Sequence, residues 1–129
     1  MQRVRFITHK GKQVLLLDYS HLADEAEMLA MIEERKRLIA QQPKGSVLKI
    51  ADVTGARFSK NALTKVKEAN VYDHPYVRRA ALVGVDAHQK TLVEAVETFS
   101  HHHHERFASL AEALDWIVEE PDAKPAGGR

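Results

Sequence analysis

Three short segments constrain the fold most: QVLLLDY at 13–19, SVLKIADV at 46–53 and RAALVGV at 79–85. The first and last are apolar without alternation. A strand with one wet face alternates, whereas a strand covered on both faces does not. Between these segments the apolar residues recur at helical spacing. Leu22, Ala26, Leu29, Ile32 and Ile39 fall near one stripe, as do Leu63, Val66 and Ala69 or Asn70. Strands alternating with helices imply a sheet whose inner strands are parallel, joined by right-handed crossovers.

The chain begins differently. Residues 2–8 alternate, with Val4 and Phe6 on one side and Arg3 and Arg5 on the other. His9-Lys10-Gly11-Lys12 then offers a glycine where a tight turn needs one. Residues 2–8 and 12–19 therefore read as an antiparallel hairpin. Asp24 and Glu27 have capping-box spacing for a first helix, which Gln42-Pro43-Lys44-Gly45 stops. Ser59 reads as the N-cap of a second helix over about 60–72, ended by His74-Pro75. A third helix spans about 87–100. Arg106 and Phe107 suit a short last strand, and Ser109 to Glu112 open a final helix to about 119. The order is β-β-α-β-α-β-α-(β)-α: one α/β domain over 1–119, a mixed sheet of four to five strands with about four helices, and a polar tail over 120–129.

Composition narrows the function. Nineteen basic residues against eighteen acidic ones leave a net charge of +1, without the basic excess of a nucleic-acid binder. With no cysteine there is no disulfide, thiolate metal site or thiol nucleophile. The apolar runs, such as Val14 to Leu17 and Met28 to Ile32, are too short to span a bilayer, and the N-terminus lacks the apolar block of a signal peptide. A cytoplasmic protein is expected. Neither a Gly-x-Ser-x-Gly elbow nor an HExxH pair occurs, and no Rossmann fingerprint follows a strand. GARFSKNA also lacks the ending of a phosphate-binding P-loop. The expectation is a non-enzymatic protein without a cofactor.

The candidate site lies where DVTGARFSKNAL joins strand to helix. Ligands of open α/β sheets gather at such carboxyl ends, and the first turn of a helix exposes unpaired N–H groups. Thr54, Gly55, Arg57, Ser59, Lys60 and Asn61 supply hydroxyls, charge and a flexible turn for a small anion or a protein partner. The same residue types also serve an ordinary turn and cap, with Arg57 and Lys60 in water. Lys49 shares a strand face with Val47 and Ala51. Its stem is expected on apolar surface and its amine in water, though full burial would lower its pKa. The His101 to His104 tract reads as a solvated junction. A helix continued through it would align Glu97, His101 and His104 for zinc or nickel, a metal-binding alternative. His9, His21 and His74 read as surface residues. Met28, Met31 and Leu38 widen the first helix's stripe, which suits either a thick core or a second copy.

The element order resembles that of the SpoIIAA-like, or STAS-type, domains over about residues 2–119. FITHKGKQVLLLDYS, IADVTGARFSKNAL and the stretch from Val71 to Val77 entering AALVGV are similar to segments of small bacterial STAS-like proteins. In the anti-sigma-factor antagonists of that superfamily, the strand-to-helix loop carries a phosphorylatable serine. Here the matching stretch is Ser59-Lys60-Asn61-Ala62, and Lys60 and Asn61 stand in the acceptor slots. The resemblance implies a regulatory or binding module without that phosphoacceptor, acting on a protein partner or as a homodimer. A carrier of a small anionic or lipid-like ligand is the alternative.

Overall fold

A computed structural model describes residues 2–119. The tail expected over 120–129 lies outside the described residues. A five-stranded sheet runs in the order β1 (Val4–His9), β2 (Lys12–Asp18), β3 (Val47–Asp52), β4 (Val77–Val83), β5 (Glu105–Phe107). The first pair is antiparallel and the other three are parallel. The mixed α/β sheet expected from the segment pattern is therefore present, with β3 at its centre. Lys10 and Gly11, both at positive φ, make the two-residue turn that sets His9 opposite Lys12.

Helices α1 (Glu25–Ile39), α2 (Lys60–Asp73) and α3 (Lys90–Ser100) follow β2, β3 and β4, and α4 (Leu110–Ile117) follows β5. The side chains of Asp24, Ser59 and Ser109 accept from the backbone N–H of Glu27, Ala62 and Glu112, so the three caps read from spacing all form. The period-two geometry of the sheet splits the core. Leu15, Leu17, Val47, Ala51 and Leu82 face α1 and α2, while Val14, Leu16, Leu48, Ile50 and Ala81 face α4. Met28 and Met31 lie buried among the former set. The widened stripe of α1 thus goes into a thick core.

Close approach at the strand ends is tightly specified. Gly84 has φ +79, and a Cβ there would stand 2.0 Å from Thr54 Oγ1. Buried Gln89 donates from Nε2 to the carbonyls of Val53 (2.7 Å) and Ala56 (3.1 Å). This one side chain ties the start of α3 to the chain leaving β3, which fixes the wall of the site described next.

Candidate functional site

On the α1–α2 side of the sheet, three polar residues sit where the local pattern calls for apolar ones. Arg35 occupies the α1 stripe between Ile32 and Ile39. Lys49 stands between Val47 and Ala51 on β3. Asp73 follows Val66 and Asn70 at helical spacing on α2. Folding brings all three to one point. Asp73 Oδ2 accepts from Arg35 Nη2 at 2.7 Å and from Lys49 Nζ at 3.3 Å. Asn70 Oδ1 accepts from Arg35 and, at 3.4 Å, from Lys49. Arg35 Nη1 donates to the Tyr19 hydroxyl at 3.1 Å. The side chains of Lys49 and Asp73 are 0% exposed and that of Arg35 is 2% exposed.

The expectation that the Lys49 amine reaches water is therefore corrected. α1 and α2 close over that face of β3 and leave the amine no exit. Burial lowers its pKa to about 7, the Arg35 charge adds to the depression, and Asp73 opposes both. Burial pushes the Asp73 carboxyl the other way, yet the charges of Arg35 and Lys49 prevail and hold it below the usual carboxylate range. Burial likewise disfavours the Arg35 cation, and Asp73 outweighs it, so Arg35 stays charged. Two cations share one carboxylate. Arg35 Nε and Asp73 Oδ1 have no hydrogen-bond partner within the described protein.

The histidine tract also differs from expectation. α3 stops at Ser100, and His101 takes the left-handed conformation, φ 54 and ψ 31, at its C-cap. Beyond it the side chains alternate: His101 and His103 face out, whereas His102 and His104 are buried. The ring of His102 meets those of His104 and His74 edge-on, at centroid distances of 4.7 and 5.2 Å. Burial and the nearby Lys49 charge lower both pKa values, that of His102 to about 3, so both rings are neutral. Glu97, His101 and His104 cannot share a helix face that does not exist. Glu97 instead accepts from the His104 N–H at 3.0 Å. Among the described residues no group of three or more His, Asp or Glu is placed to hold a metal ion. His21 and His74 are exposed, and His9 is partly buried against Asp115 at 2.8 Å.

Above the charged cluster lies a cavity of about 70 Å³ between the sheet and helices α2 and α3. Leu17, Lys49, Ala51, Val53 and Leu82 form the sheet side. Leu63, Val66 and Asn70 come from α2, Leu92, Val93, Val96 and the acid Glu97 from α3, with Phe58, Tyr19, Arg35, Gln89 and His104 completing the wall. It is a largely apolar chamber with a few polar groups in its wall, the usual form of a small-molecule site.

The β3–α2 loop takes another form. Gly55, Arg57, Lys60 and Asn61 are exposed; Thr54 and Ser59 are partly buried. Thr54 Oγ1 donates to Asp52 at 2.7 Å. The loop backbone pairs with the segment after β2, through His21 N to Thr54 O (2.7 Å) and Arg57 N to Leu22 O (3.0 Å). Ser59 Oγ accepts from Ala62 N at 3.0 Å and donates to the Glu25 carboxylate. That acid stands at the very helix end where an anion was expected. Phe58, from the same loop, points to the chamber instead.

No protein-family model, curated protein or solved structure matches this chain.

Proposed function

We propose that the protein binds a small amphipathic monoanion in the chamber between the sheet and helices α2 and α3, as a carrier or sensor of that ligand. One observation carries the reading: Arg35 and Lys49, both buried and both in the wall of a largely apolar cavity, share the single carboxylate of Asp73. Glu97, the acid in the cavity wall, is engaged by Arg106 at 3.4 Å and by the His104 N–H at 3.0 Å, so below the Lys49 pKa of about 7 the cluster holds one cation in excess, which favours a ligand that brings one negative charge. The chamber is about half the ~150 Å³ that holds a benzene ring, so a chain of about four carbons fits its apolar part.

The test is calorimetric titration at pH 6, where Lys49 is protonated, with pentanoate and, separately, pentanol. Pentanoate is expected to bind at least about tenfold more tightly, since a buried charge-assisted hydrogen bond is worth about 1.5–3 kcal/mol. Val93→Trp, which fills the chamber, is expected to abolish the binding. Equal affinity for acid and alcohol, or retention in the filled variant, overturns the reading.

A second reading keeps the chain as a STAS-like module acting through protein contacts, itself included. It is favoured by apolar side chains left exposed on α2 and α3: Val71 at 48%, Tyr72 at 41% and Phe99 at 55%. Sedimentation is expected to give a concentration-dependent dimer that Tyr72→Ser and Phe99→Ser disperse. A monomer at every concentration removes the self-associating form. No described helix is long and apolar enough to cross a membrane.

A further inference from the structure

We propose that Lys49 is a covalent capture site, forming an imine with a short-chain aldehyde or ketone that enters the chamber. The inference rests on the chamber binding small amphipathic molecules. It goes beyond charge complementarity because it assigns a nucleophile.

The geometry supports it in three ways. First, Lys49 is one of the residues that line the cavity, and its side chain is closed to water, so only a small rearrangement at the cavity wall separates the amine from a bound carbonyl. Second, the amine is weakly held. An ammonium has three protons to donate. Asp73 Oδ2 and Asn70 Oδ1 lie at 3.3 and 3.4 Å from it, while Arg35 takes both oxygens at closer range. Third, the guanidinium of Arg35 is a fixed positive neighbour. Desolvation beside a second cation is the combination that converts a lysine into an amine nucleophile. The lowered pKa of Lys49 agrees with this placement.

The step balances without a co-reactant. The Nζ lone pair forms a bond to the carbonyl carbon, and the carbonyl π pair moves to oxygen. Both amine protons then leave with that oxygen as water, and the C=N bond remains. The apolar wall of Leu63, Val66, Leu82, Val93 and Val96 would receive the chain. Neighbouring His104 is neutral and also faces the chamber, so it adds no repelling charge.

The test uses the full chain, with no variant required to fold. Incubation with butanal and cyanoborohydride at pH 7.5, followed by intact-mass analysis and peptide mapping, is expected to give one butyl group on Lys49. That group should appear at least about tenfold faster than on any other lysine, because a lysine with the ordinary pKa of about 10.4 is almost wholly protonated at this pH. Adducts spread over the surface lysines, with Lys49 at or below their level, overturn the inference. Pentanoate titration of the same preparation separates the two claims. Pentanoate binding without Lys49 labelling removes covalent capture and leaves the carrier reading intact. Lys49 labelling without pentanoate binding supports capture and removes the monoanion carrier.

Discussion

Arg35 Nη2 and Asp73 Oδ2 lie 2.7 Å apart, the one on α1 and the other at the last residue of α2, with both side chains closed to water. This pair pins the two helices together over the centre of the sheet. It also leaves Lys49 as the lesser partner of the shared carboxylate.

Removing the carboxylate should expose that dependence. Asp73→Ala leaves Arg35 and Lys49 as uncompensated buried cations and is expected to cost about 3–5 kcal/mol, as when one partner of a buried pair is deleted. Urea denaturation followed by circular dichroism checks this. Lys49→Met removes the excess cation and fits the apolar face shared with Val47 and Ala51, so it is expected to be neutral or stabilising. A large loss in Lys49→Met would refute the charge count.

Stability should rise with pH across two windows. The folded-state pKa of Lys49 is about 7 against an ordinary 10.5. Between those values the unfolded chain keeps a proton that the folded protein has released, so stability increases as pH rises from about 7 toward 10.5. His102 is lowered to about 3 from 6.5, and His104 moves the same way. Stability therefore falls as pH drops below 6.5. The groups facing Lys49 are Arg35 from α1, Asn70 and Asp73 from α2, and the rings of His102 and His104. In thermal melts from pH 4 to 10, Lys49→Met should flatten the upper slope and only soften the lower one, because burial, the larger cause of the lowered histidine pKa values, remains when the Lys49 charge is gone. An unchanged upper slope would assign it to other groups.

Gly84→Ala tests the strand-end packing. The new Cβ would meet Thr54 Oγ1 at 2.0 Å in a backbone held at φ +79. A loss of roughly 1–3 kcal/mol is expected from the strained backbone alone. Adding Thr54→Gly relieves the contact and should recover part of the loss, measured by denaturant midpoints.

Ser59→Ala separates the loop from the chamber. It removes the α2 cap and the contact to Glu25, and about 1 kcal/mol of stability should go with them. Pentanoate affinity should stay unchanged. A change of tenfold or more would return the binding site to the loop.

The sequence by itself determined the architecture. Apolar runs, helical stripes and capping residues are local signals, and each element they specify is present within a few residues of its expected ends. Of the charged cluster only Lys49 was singled out in the sequence, because it interrupts an apolar strand face; Arg35 passed as one of the bases near the end of the first helix, and Asp73 lay past the expected end of the second. Lys49 was read as reaching water since a lysine stem usually permits that exit. The histidine tract was read as polar because composition alone does not show that the chain becomes extended after His101 and turns alternate rings inward. Only the tertiary structure decided that Arg35, Lys49 and Asp73 coincide. Their pairing depends on two crossovers bringing α1 and α2 over β3, with 38 residues separating Arg35 from Asp73. Burial then supplies the physical reason for the site: charges that would be screened in water hold one another, and shift one another's protons, once water is excluded.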